Sequence, residues 1–226
     1  MTGKNKVIAF SGLDGAGKST QIAQLTSYLE QQGQTVVYLW VRGGYTPLFN
    51  LAKKLLRQLT GKRVIPTSGK SDKRTQTLQT PWKRNLWLII AIVDMMLVYG
   101  IAVRWWGLLG RTVIYDRFLD DTKIDFDLNF AGSNVETWLL WRILRRVAVK
   151  PDNAFMLLIP VEESQRRSKL KNEPFPDSAE VLTKRLETYE QIGRAGAWTV
   201  IDAQQDIATI QQFIRDKIDP TSRGGA

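Results

Sequence analysis

The sequence predicts an α/β fold: a five-stranded parallel sheet with helices on both faces. Two observations carry that expectation. Five short runs of β-forming residues recur along the chain, separated by segments with helical periodicity, and strands alternating with helices join into parallel sheets. A glycine-rich turn, Gly12 to Ser19, then separates the first strand from the first helix. The chain has 226 residues, 43% of them apolar, which suits one packed domain over residues 1–220 with a loose tail at 221–226.

In order, Lys6 to Phe10 reads as a short apolar strand. Ser19 to Gln32 reads as a helix stopped by Gly33. Thr35 to Trp40 is a second strand, and Pro47 to Leu59 has helical spacing. The stretch from 60 to 84 is polar, basic and broken by Gly61, Pro66, Gly69 and Pro81, so it reads as a loop insertion. Arg111 to Tyr115 is the third strand. Val135 to Val147 is an amphipathic helix, and Ala154 to Ile159 is the fourth strand. Helices over 161–170, 178–194 and 206–218 flank a fifth strand ending at Thr199 to Ile201.

Leu86 to Val103 is an apolar run of 18 residues, near the lower limit for crossing a bilayer. It lies between the second and third strands. A single crossing there would place two parts of one sheet on opposite sides of a membrane, so the run reads as a buried helix. Tryptophans at 82, 87, 105 and 106 among basic residues leave a peripheral membrane contact through 60–106 open.

Composition excludes several chemistries. There is no cysteine, hence no disulfide, thiolate metal site or cysteine nucleophile. There is no histidine, so acid–base work falls to carboxylates, lysines or a substrate phosphate. The start, MTGKNKVIAF, lacks the apolar run of a signal peptide, and a cytoplasmic location is the simplest expectation. Net charge is +10, concentrated between Lys53 and Arg84, where Asp72 is the lone acid. That window fits a solvated insertion, a phosphate-rich substrate or an anionic surface, with nucleic acid disfavoured.

Gly12-Leu13-Asp14-Gly15-Ala16-Gly17-Lys18-Ser19 fits G-x-x-x-x-G-K-[ST], placed between a strand and a helix as a P-loop must be. Backbone N–H groups from Gly12 to Thr20 can cradle phosphates, aided by the helix dipole. Lys18 reaches the β- and γ-phosphates of ATP, and Ser19 offers a hydroxyl to Mg²⁺. The fold class sharpens to a P-loop NTPase fold. Asp116-Arg117 follows the third strand, at the carboxyl end where α/β sheets bind ligands. Asp116 can orient Mg²⁺ or take a proton from the acceptor, and Arg117 can grip an anion. Arg166 and Arg167 open a basic cluster that can close as a lid over 166–175. Arg42, before Gly43-Gly44, can meet an anion at the end of the second strand. Thr122-Lys123-Ile124-Asp125 mimics a guanine-specificity tetrad, but it lies too close to Asp116 to follow a strand of its own.

These pieces together resemble the thymidylate kinase family. The matching stretches are FSGLDGAGKSTQ, Arg42-Gly43-Gly44, YDRF, PDNAFMLLIPVEESQRRS and the run from Phe175 through Tyr189 to Asp202. The resemblance implies Mg·ATP as donor and a small phosphorylated nucleoside, thymidylate or a relative, as acceptor. It implies Asp116 and Arg117 near the acceptor phosphate and metal. Catalytic arginines fall in the lid, since Leu13 to Ala16 has none. It also implies a homodimer through helices. On the acceptor side the chain departs from the family: Met95 follows Asp94 where an arginine is usual, and 119–126 lacks the usual polar motif. A P-loop kinase for a sugar, lipid or other phosphorylated metabolite, and a non-catalytic ATP-binding regulatory protein, are the alternatives that the residues leave open.

Overall fold

A computed structural model describes residues 6–41, 58, 80–130, 132–171 and 176–219. The described residues divide into two compact units, one within 1–40, 106–118 and 150–226, the other within 41–105 and 119–149.

The first unit contains the sheet. Its strands are β1 (Val7–Gly12), β2 (Val36–Trp40), β3 (Thr112–Asp116), β4 (Asn153–Leu158) and β5 (Thr199–Asp202). All pair in parallel in the order β2-β3-β1-β4-β5. The predicted sheet is therefore present, with boundaries within two residues of those read from the sequence. β1 and β3 are central and buried almost throughout, which explains why they read as continuous apolar runs rather than alternating ones. The register sets Phe10 beside Asp116 on one side and beside Phe155 on the other. The Phe10 and Phe155 rings lie 5.5 Å apart.

Helix α1 (Lys18–Gln31) leaves the glycine-rich turn and buries Gln21, Ile22, Leu25 and Leu29. Its first residue is Lys18, so the motif's lysine and serine both sit in the opening helical turn. Later in the chain, two helices of this unit begin with side-chain caps. Ser178 accepts from Val181 N–H, and Asp206 accepts from Thr209 N–H at 2.9 Å. Each such cap is worth about 1 kcal/mol.

The second unit is helical. α2 (Pro81–Met95) continues through a π-helical segment, Met96–Ala102, into α3 (Val103–Leu108), of which Val103–Trp105 belong to this unit. The sequence marks Pro81 as a loop residue, but it sits in the first turn of α2, where its fixed φ is suited and its missing N–H costs nothing. Residues 81–84 thus belong to the helix, and 60–79 lie outside the described residues. So does the predicted helix at 47–59, apart from Gln58, and so does the tail.

The apolar run is a helix with one buried face and one open face, not the buried helix predicted. Trp87, Leu88, Ala91, Ile92, Met95 and Tyr99 are buried. Trp87 packs against Phe126 and Phe130 at ring distances of 6.0 and 5.2 Å, and Phe126 meets Trp141 at 6.0 Å. Phe126 belongs to α4 (Leu119–Asn129), a helix the sequence did not announce. Its buried set includes Asp121 and Thr122 beside Leu119, Ile124 and Phe126, so no apolar stripe stands out. Trp141 belongs to α5 (Leu139–Val147), which follows a short 3₁₀ turn at Val135–Thr137.

Candidate active site

The site grows from one contact that only glycine permits. Gly12 ends β1 with φ at 130°, and a Cβ there would stand 2.0 Å from the Leu157 carbonyl oxygen of β4. β1 and β4 can come together at this point because the side chain is absent. The chain then turns through Gly15 (φ 79°) and Gly17 (φ 86°), both left-handed. A glycine-rich turn of this kind, with left-handed residues between a strand and a helix, is the backbone form that can present N–H groups to phosphate oxygens.

Lys18 is buried, and its Nζ donates to the carbonyl oxygens of Gly12 (2.9 Å) and Leu13 (2.8 Å). The ammonium is thus held within the loop that its own helix follows. Ser19 and Thr20 are exposed in the first turn of α1, beside the helix N-terminus.

Asp116 is the last residue of β3, as the strand-end reading requires, and it is buried. Its Oδ2 accepts a hydrogen bond from the Tyr38 hydroxyl at 2.6 Å. Partial burial and this bond hold the Tyr38 hydroxyl well above the usual tyrosine range, so it stays protonated and donating at neutral pH. Sequence reasoning missed Tyr38. Its partner is 78 residues away, and only the β2–β3 register brings it onto the face of Asp116: Tyr38 lies beside Ile114, and Trp40 beside Asp116.

Arg117 has φ at 79°, a left-handed conformation that a non-glycine residue adopts at a cost of about 1–3 kcal/mol. Its backbone N–H donates to the Phe10 carbonyl at 2.8 Å, and its guanidinium pairs with Asp14 of the glycine-rich turn. The side chain that the sequence assigned to an acceptor anion thus engages the P-loop itself. Asp14, assigned to nucleotide binding, serves as the link between the turn and the strand end.

The basic cluster also reaches the turn. It lies on α6 (Val161–Leu170), where Ser164 Oγ donates to the Asp14 carbonyl at 2.6 Å. Arg167 Nη1 donates to Gly15 O and Ala203 O, both at 3.3 Å. A Cβ on Gly15 would stand 3.1 Å from Arg167 Cβ, so the glycine also admits α6 to the loop. Arg166 does not join it: that side chain is exposed and forked onto Glu163 at 2.7 Å through both Nε and Nη2. Arg167 shares the same carboxylate at 2.5 Å. Hydrogen bonds from Arg166 and then Arg167 push the Glu163 pKa down to about 2. Residues 172–175, the rest of the expected lid, lie outside the described residues. Arg185 Nε meets Asp177 Oδ2 at 3.0 Å. Arg42 also lies outside the described residues.

No family model matches this chain. Whole-chain relatives do. It is 31% identical over 218 residues to a protein of Thermococcus kodakarensis named probable thymidylate kinase, covering 92% of this chain and 94% of that one. The chain belongs to the thymidylate kinase family. It is also 26% identical over 211 residues to the thymidylate kinase of Plasmodium falciparum, covering 93% and 88% of the two chains. With the thymidylate kinase of Synechococcus sp. it shares 25% over 229 residues, 98% and 99% of the two chains. The family expected from the motifs is therefore the one that similarity over most of the chain supports.

Among the described residues there is no cluster of three or more carboxylates that would hold a metal unaided. The donors present suit Mg²⁺ of a different kind. A hydroxyl at a helix N-terminus and one buried carboxylate are what a hard cation uses when phosphates and water supply the remaining ligands.

Proposed function

We propose that this protein transfers the γ-phosphoryl group of ATP to thymidylate, forming ADP and the nucleoside diphosphate. The observation that carries the reading is the convergence on one glycine-rich turn of Lys18, Arg117 and Arg167, with Asp116 at the neighbouring strand end. Family membership makes a kinase the natural use of that turn.

In this reading the turn from Gly12 to Thr20 holds the ATP phosphates by backbone N–H groups. Lys18 supplies the positive charge that meets the β- and γ-phosphates as charge builds on them. Phosphoryl transfer requires little covalent chemistry from the protein, so placement and charge neutralisation provide most of the rate. Ser19 and Asp116 are the residues that would hold Mg²⁺, which supplies Lewis-acid neutralisation between the phosphates. Asp116, with one oxygen fixed by Tyr38, presents its carboxylate in a defined direction toward the metal position. The thymidylate phosphate, with a second pKa of about 6, is largely dianionic at neutral pH, so its attacking oxygen needs no base from the protein. Arg117 couples the strand end to the turn through Asp14. Arg167, already touching the turn, is the lid arginine best placed to meet transferring charge. Arg166 serves by sharing Glu163.

The test is product analysis. Purified protein incubated with ATP, Mg²⁺ and dTMP should form dTDP, resolved by ion-exchange chromatography, and omitting dTMP should leave ATP unconsumed. Absence of dTDP under conditions in which ATP binds would overturn the assignment.

A further inference from the structure

Away from the glycine-rich turn, residues of α1 and of the helix Ile207–Ile218 line an open groove of about 290 Å³. Its lining is Ala23, Gln24, Ser27, Tyr28, Gln31 and Arg215. Positions 24, 27, 28 and 31 follow the three- and four-residue spacing of one helical face. That face is polar but uncharged, with two amides, a hydroxyl and a phenol. Glu30, the one acid of α1, is not among the lining residues.

Arg215 brings the only charge to the lining. It is half-buried, and its Cζ lies 4.4 Å from the centre of the Tyr28 ring. Stacking fixes the plane of the guanidinium, while its N–H donors lie around the edge of that plane. The other shielded arginines of this unit each meet a carboxylate: Arg117 meets Asp14, Arg167 meets Glu163 and Arg185 meets Asp177. Arg215 has no such partner among the described residues. Asp216, next to it in sequence, accepts instead from Gln212 Nε2 at 2.9 Å. A guanidinium held in place with its edge unmatched is a ready receptor for an oxyanion.

We infer that this groove binds the oxyanion group of a small metabolite, a phosphate or a carboxylate. Arg215 grips two of its oxygens, and Gln24, Ser27 and Gln31 supply further hydrogen bonds. With no acid in the lining, an anion meets no repulsion there, and a cation finds no counter-charge. The volume lies near the lower end of the range for small-molecule sites, roughly 300–1,000 Å³, which suits a compact ligand. The site is distinct from the phosphate-binding turn. Tyr28 follows Lys18 by ten residues on α1, about 15 Å along the helix axis. The two helices are already tied near their N-termini, where Gln21 Nε2 donates to the Ile207 carbonyl at 3.1 Å. An anion on Arg215 and the α1 amides is a second tie between them, nearer their C-termini.

The test is calorimetric titration of the full chain, saturated with Mg·ADP so that the turn is filled. Sodium phosphate and sodium succinate are titrated separately at constant ionic strength. Saturable binding with a Kd of about 1 mM or tighter is expected for at least one of them. Phosphate alone marks a phosphorylated ligand, and succinate alone marks a carboxylate. Arg215→Gln should weaken binding about tenfold or more, and Tyr28→Ala should weaken it as well by releasing the guanidinium. Tyr28→Phe should match wild type, because the ring and not the hydroxyl carries the stack. Ser27→Glu, on the exposed side of α1, blocks the groove independently by placing a carboxylate in it, and circular dichroism checks that each variant is folded. Arg194→Gln, an arginine 78% exposed elsewhere on the unit, should change nothing. No saturable binding of either anion overturns the inference. So does binding that Arg215→Gln and Ser27→Glu both retain in full. Neither outcome bears on dTDP formation, which is measured without these anions.

Discussion

The glycine-rich turn and the long apolar helix are both conspicuous in the sequence, but they are conspicuous for different reasons. In the turn, each residue type is required by a local geometric fact. Gly12 is required because Leu157 O leaves no room for a side chain, and Gly15 and Gly17 because the backbone is left-handed. In the helix, what matters is composition along a face, and Ile, Leu and Val are interchangeable there within broad limits. A turn read from a motif therefore specifies its chemistry, while a helix read from hydropathy specifies only that something apolar must meet it. The same contrast appears under mutation.

The largest effect should come from Gly12→Ala. The added Cβ meets backbone rather than a yielding side chain, and φ at 130° is foreign to alanine. Destabilisation of about 3–5 kcal/mol, read from thermal or urea unfolding, is the expected result. Ile101→Glu, at the open face of the helix, should leave unfolding nearly unchanged in the same assay. Equal sensitivity at the two positions would erase the distinction drawn here.

Next in size are the two charged residues of the turn and the strand end. Lys18→Ala should lower kcat by about 100- to 1,000-fold through lost stabilisation of developing phosphate charge. Asp116→Asn should lower kcat by about 100-fold or more while the KM for ATP moves less. Steady-state ADP release with varied ATP separates the two parameters.

Tyr38→Phe sharpens the picture of the strand end. It deletes one hydrogen bond, 2.6 Å to Asp116, and retains the ring. A drop in kcat of about threefold to tenfold is expected, and it should disappear in an Asp116→Asn background. An undiminished effect in that background would mean that Tyr38 acts through something other than Asp116.

Smallest is the effect at Glu163, which pairs on the surface with Arg166, a side chain 62% exposed. Its folded-state pKa, about 2, lies below the ordinary carboxylate value. Its contribution is therefore present above about pH 4.3 and lost as pH falls toward 2. Thermal melts across that window should show a flatter pH dependence for Glu163→Gln than for wild type. At neutral pH the two should differ little.

The sheet was legible because central strands have no solvent face, so β1 and β3 appear as uninterrupted apolar runs. The turn was legible because it is contiguous. Tyr38 was not, since nothing near position 38 refers to position 116, and strand register alone joins them. The pairing of Arg117 with Asp14 was hidden in the same way: both residues were singled out, but a sequence does not say which of two candidate partners a guanidinium meets. α4 escaped because buried Asp121 and Thr122 interrupt its apolar face. Pro81 misled because proline marks both the end of a loop and the start of a helix.

The central claim is that Lys18 and Asp116 belong to a working thymidylate phosphotransferase. The most direct measurement is coupled ADP release by wild type, Lys18→Ala and Asp116→Asn, with dTMP compared against AMP, CMP, GMP and UMP. ADP release that depends on dTMP in the wild type and collapses in both variants is the predicted result. Release no greater with dTMP than with no acceptor, or undiminished release in both variants, would contradict the claim.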